Sequence, residues 1–167
     1  MAKPSYERRM LPRKIDWSAA IVAGVIAGAG FAGLEMLLNV LLLRGLLPQQ
    51  VRMTAAIVLG DGVLAPDVAF DLRLLLIALA VHFALSIVFA IVLAALILRL
   101  QVGAAELIGL AFGLLLYVVN FYVLVGIFPW FREERNWVSI VCHLLFGVLA
   151  ALLYKAFASR AEELGLE

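Results

Sequence analysis

Four polar side chains interrupt an otherwise apolar chain at places where they could do chemistry: Glu35, His82, Asn120 and His143. A carboxyl and two imidazoles carry protons and bind metals. Two histidines at similar depth on parallel helices suit the two axial positions of a b-type haem. Together with Glu35 they make a two-histidine, one-carboxylate set suited to a divalent zinc, iron or manganese ion, with Asn120 as a partner behind the ligands. A protonatable Glu–His pair also suits proton or ion transport. The same groups suit plain interhelical hydrogen bonding, which contributes about 0.6 kcal/mol per contact in measured membrane proteins. Ser86 and Ser139 each lie one turn from a histidine, and Tyr117 and Tyr122 flank Asn120. These four are supporting donors, and ordinary helix packing accounts for them as well. The chain shows no nucleophile with its base, no glycine-rich phosphate loop and no HExxH motif, so the reading is that it is not an enzyme.

Such groups need elements to position them. A hydrocarbon layer about 30 Å thick takes about 20 apolar helical residues to cross. Four segments qualify: 15–43, 72–98, 104–128 and 137–157. The expected fold is therefore an all-α, four-helix transmembrane bundle in one domain covering residues 1–167. The first apolar stretch is far longer than the roughly 7–15 residues of a signal-peptide core, so it reads as a retained span.

Lipid tails are as apolar as leucine, so spans associate by close packing at small residues and by hydrogen bonds. Gly24 and Gly28 mark such a stripe on the first span, Gly109 and Gly113 on the third, and Ser86, Ala90 and Ala94 on the second. Ser139, Gly147 and Ala151 do so on the fourth. Glu35 follows Gly28 by two turns and Asn120 follows Gly113 by the same interval. His82 and His143 fall in step with the serine and glycine of their own helices. Each helix thus aims one strongly polar side chain inward, roughly 9–12 Å below the end distant from the termini. The first and third spans share Gly-x3-Gly-x6-(Glu/Asn), and the second and fourth share His-x3-(Ser/Gly). That pattern suggests a duplicated helical hairpin.

Hydrophobic residues make up 66% and charged residues 15% of the 167, with a mean hydropathy of +1.11; soluble domains run near half and a quarter. A net charge of +1 leaves no basic surface for nucleic acid. Cys142 is the single cysteine, which rules out an intrachain disulfide and a thiolate metal cluster. Its neighbour His143 faces inward, so Cys142 is expected to face lipid or a partner. Lys3, Arg8, Arg9, Arg13 and Lys14 precede the first span, and the K/R bias favours both termini on the cytoplasmic side. Trp17, Trp130 and Trp137 fall at helix ends, as interfacial anchors do. In the long connection 44–71, Pro48 to Gly60 reads as a short helix, followed by an Asp61-Gly62 turn. Two placements suit that helix: flat in the interface or capping the bundle. Residues 160–167 read as a solvated helix end.

The segments Leu34-Glu35-Met36, Val81-His82-Phe83, Val119-Asn120-Phe121-Tyr122, Phe128-Pro129-Trp130 and Asn136-Trp137-Val138-Ser139 resemble those of small four-helix bacterial inner-membrane proteins of unknown function. Some of these are labelled sodium:proline symporters, a transport class built on many more helices than this chain supplies. The resemblance covers nearly the whole chain and implies a multi-pass protein of the bacterial inner membrane. The functional expectation is an accessory or cofactor-holding subunit of a larger membrane complex, its partners being lipid and other subunits or copies of itself. The alternatives are an ion or proton-coupled transporter working as a homo-oligomer, and a ligand-free assembly subunit.

Overall fold

The computed structural model describes residues 14–43, 47–66 and 68–164, and the side chains among them except those of Leu43, Leu47 and Arg160–Leu164. The basic cluster Lys3–Arg13 on which the orientation rests, Arg44 and Asp67 lie outside the described residues, as do the side chains from Arg160 onward. The architecture is all helical: α1 (Trp17–Leu38), α2 (Leu47–Leu59), α3 (Leu72–Ile97), α4 (Val102–Val118) and α5 (Trp137–Leu164). Four stretches are long and apolar enough to cross a membrane: Trp17–Leu42, Leu72–Ile97, Val102–Gly126 and Trp137–Ser159. They match the predicted spans to within a few residues, and α5 runs further than expected.

Helix starts are fixed by side chains that accept otherwise orphaned N–H groups. Asp16 accepts from the Ala19 amide at 2.9 Å, Asp71 from Leu74 at 2.8 Å and Asn136 from Ser139 at 3.0 Å. Outward faces carry Leu76, Val92, Leu107 and Leu115, all exposed; a belt of that kind is stable only against lipid or another apolar surface.

The helices pack in the order α3–α1–α5–α4, and α3 meets α4 only sparsely. Glycine governs both tight crossings. A Cβ on Gly24 would stand 2.8 Å from the Ile87 Cα and 3.0 Å from the Ala90 Cβ; one on Gly109 would stand 2.9 Å from the Ala151 Cβ. One turn on, a Cβ on Gly28 would meet the Ser86 hydroxyl at 2.6 Å with His82 beyond it, and one on Gly113 would collide with the His143 carbonyl. Gly24 and Gly28 therefore sit on Ser86, Ala90 and His82 as Gly109 and Gly113 sit on Gly147, Ala151 and His143. The α1–α3 and α4–α5 pairs cross in the same register, as the repeated pattern requires.

Two ends of the bundle differ. Near the termini, Ala20, Ala23, Ala27, Ala94, Ala105, Ala150 and Ala151 pack with Leu93, Ile97 and Tyr154 into a dense floor. Lys155 caps that end by donating to the Leu98 carbonyl at 3.0 Å. At the other end α2 lies across α3, with Val51 and Ala55 buried against Leu74 and Ala78. Met53 and Ala56 are buried too, while Val58 is 67% exposed. Of its two expected placements, α2 takes the capping one. It stops at Gly60, whose φ of 83° suits a residue without a Cβ, and a 3-10 turn at Asp61–Leu64 follows. The second connection is a 3-10 turn, Pro129–Glu134, tied to α2 by Trp130 donating to the Met53 carbonyl at 3.0 Å.

Candidate functional site

Helices α1, α3, α4 and α5, roofed by α2 and the Pro129–Glu134 turn, enclose a cavity of about 220 Å³. Glu35, His82, Asn120 and His143 all line it. Ser86, Gln50, Thr54 and Glu134 add polar atoms, and the remaining wall is largely phenylalanine.

Two of the four residues sit where a helix widens. The α4 helix opens into a π turn at Val119–Val123, which carries Asn120; α1 opens into another at Asn39–Leu43, one turn beyond Glu35. Such turns are uncommon and recur at functional sites. Side-chain donors reach carbonyls at both turns. Asn39 donates from its side chain to the Glu35 carbonyl at 3.0 Å. Arg135 donates to the Phe121 carbonyl at 2.6 Å while its guanidinium stacks 4.3 Å from the Tyr122 ring centre.

Hydrogen bonds define both imidazoles. Nδ1 of His143 lies 2.7 Å from the Ser139 carbonyl, an acceptor, so Nδ1 carries the proton. In the neutral ring Nε2 is then the lone-pair atom, and it accepts from the Asn120 amide at 3.1 Å. Nε2 of His82 donates to the Gly28 carbonyl at 2.9 Å, which locks α3 onto the glycine stripe of α1. Phe31 stands between the two rings, edge-on to His143 at 4.9 Å and tilted against His82 at 5.7 Å. The Glu35 carboxyl accepts no hydrogen bond from the described residues. At the roof, burial pushes the Glu134 carboxyl above its ordinary range and the neighbouring Glu133 charge adds to this, offset in part by a hydrogen bond from Asn136.

This arrangement lends the cofactor expectation no support. A haem held by both histidines needs two free Nε2 atoms facing a common plane; here both Nε2 atoms are hydrogen-bonded and a phenyl ring separates the imidazoles. Among the described residues no group of three or more His, Cys, Asp or Glu is arranged to hold a metal ion. Residues sharing a depth and an inward face are not thereby within 2 Å of one point.

The supporting residues divide. Ser86 lines the cavity, whereas Ser139, Tyr117 and Tyr122 do not. Ser139 is fully buried, with its hydroxyl lacking a hydrogen-bond partner. Tyr117 packs against the His143 ring at 5.9 Å, and Tyr122 is exposed beneath Arg135. Cys142, expected to face lipid or a partner, is completely buried, because α5 is flanked by α4, α1 and α3 and so presents few outward positions. Sequence reasoning missed the roof residues Gln50, Thr54 and Glu134, since nothing in their local pattern shows that α2 and the second connection fold over the bundle. Comparison with protein-family models, with curated proteins and with solved structures finds no match to this chain.

Proposed function

We propose that this chain is a small multi-pass membrane protein that holds a small amphipathic molecule in the roofed cavity, as an accessory component of a bacterial inner-membrane assembly. One observation carries the reading: four polar residues, one from each span, meet in a single phenylalanine-walled space of about 220 Å³. Concave, mostly apolar sites with a few convergent polar groups are where small ligands bind. Glu35 and His82 fix the orientation of the ligand's polar part, while Asn120 holds His143 in one tautomer. The bacterial location rests on the resemblance of the quoted segments.

The packed floor argues against a transport path through a single copy, because the alanines beneath the cavity leave no polar route onward. Native mass spectrometry of the protein released from mild detergent tests the reading. A bound small molecule is expected, lost in Leu124→Trp, which fills the cavity. A preparation that stays empty and takes up no added small hydrophobe overturns it.

A further inference from the structure

The cavity is unbalanced in charge, and one of its carboxyls lacks a partner among the described residues. Its charge is one-sided: Glu35 and Glu134 line it, and no lysine or arginine does so among the described residues. Two guanidiniums of the roofed end are engaged elsewhere, Arg135 with the Phe121 carbonyl and the Tyr122 face and Arg52 with the Val68 carbonyl. The Glu35 carboxyl is unpartnered, and the ring N–H of His82 is already spent on Gly28. At Glu35 the missing partner is therefore a donor, while Ser86 and Gln50 add polar atoms elsewhere on the wall. Around the cavity stand the rings of Phe31, Phe121, Phe128 and Phe131, and aromatic faces beside carboxylates are how organic ammonium ions are recognised.

The way in is also marked. The α3 and α4 helices are the loosely packed neighbours of the bundle. Leu85 of α3 lines the cavity and is 40% exposed. Thirteen residues from the start of α3, it lies roughly 20 Å along the helix, at mid-bilayer depth and level with lipid tails. Glu35 and Glu134 belong to the roofed end. A ligand seated with its polar head among them extends its apolar part past Leu85 into lipid.

We propose that the cavity takes a lipophilic ammonium ion, an alkylamine-headed amphiphile admitted from the bilayer between α3 and α4, with its head held by Glu35 within the phenylalanine rings. This rests on the ligand-holding reading and names the ligand class. A phospholipid head is a poorer match, because its phosphate would meet two carboxylates and no cation.

Calorimetric titration of the full chain in maltoside detergent, with protein-free micelles as reference, tests it. Four probes are used: decylamine, decanol, decanoate and ethylamine. Decylamine is expected to bind at least about tenfold tighter than decanol, as a charge-assisted hydrogen bond implies, and decanoate to bind weakest. The preference for amine over alcohol is expected to collapse in Glu35→Gln, whose thermal transition shows that it is folded; Glu134→Gln is the second variant should the first not fold. Equal binding of decanol and decylamine overturns the ammonium assignment and leaves the ligand-holding reading standing. Ethylamine binding as tightly as decylamine overturns the bilayer route. If no probe binds, both readings fall.

Discussion

Asn120 donates from its side-chain amide to Nε2 of His143 across 3.1 Å, joining the π-helical end of α4 to the second turn of α5. The bond is half-buried, and His143 has no other acceptor duty. Asn120→Leu is expected to lower stability by about 0.6 kcal/mol, reaching about 1.7 at the upper end for such bonds in membrane proteins. A double-mutant cycle with His143→Phe, read by thermal unfolding in detergent, checks this. Strict additivity of the two changes would show that the contact contributes nothing.

Gly113 and Gly33 make a contrasting pair. A methyl on Gly113 runs into the His143 carbonyl, whereas one on Gly33 meets nothing within 4 Å. Gly113→Ala is expected to cost about 1–3 kcal/mol, because α4 must back away from α5. Gly33→Ala should be neutral or stabilising by about 0.5–1 kcal/mol, as an exposed helical glycine is entropically poor. Melting temperatures of the two variants measured side by side test the crossing geometry.

At the start of α1, burial raises the affinity of the Asp16 carboxylate for protons, but hydrogen bonds from the Ala19 amide and from Ser18 outweigh it, leaving the group below its ordinary range. A depressed folded value means that the cap's stability is fully present above the unfolded carboxylate range and fades as pH falls through the folded one. Asp16→Ala is expected to cost about 0.5–2 kcal/mol near neutral pH. The gap between variant and wild type should close in acid, as followed by thermal unfolding across a pH series.

Glu134 runs the other way. Its raised value, caused first by burial and then by Glu133, means that the folded state keeps a proton which the unfolded state has already released. Stability therefore falls as pH climbs from the ordinary carboxylate range through the folded value, and the full cost is present above it. Glu134→Gln should be more stable than wild type near neutral pH, with the advantage shrinking as pH is lowered. An advantage that grows in acid would contradict the burial of this carboxyl.

The Trp130 indole, bonded at 3.0 Å to the Met53 carbonyl, fastens the roof. Trp130→Phe keeps the ring and removes the donor, at an expected cost of about 0.5–1.5 kcal/mol. Amide hydrogen exchange should quicken in α2 and stay unchanged in α5. Uniform quickening across the chain would mean that the roof and the bundle open together.

Much of the bundle could be read from residue types because a membrane leaves few solutions. Uninterrupted apolar runs of span length, and small residues four apart, admit little besides packed helices. That is why the glycine crossings and the inward placement of Glu35, His82, Asn120 and His143 were legible. What was hidden depends on long-range packing. No local signal marks the π turns at Asn39 and Val119, or the folding of α2 onto Leu74 and Ala78. Periodicity gave the direction in which each histidine points but not the phenyl ring of Phe31 packed against both of them, and so it suggested a shared metal where the described residues group no such ligands. Cys142 was misread because an outward position on an isolated helix is an inward one on a helix surrounded on three sides.

The alanine floor near the termini has a physiological corollary. Side chains of one carbon, packed to zero exposure at Ala20, Ala23, Ala27, Ala94 and Ala151, offer neither a wire of water nor a stepping stone for an ion. At that level a single copy of the bundle is as apolar as the lipid it displaces, so the insulating role of that lipid passes to the helices themselves.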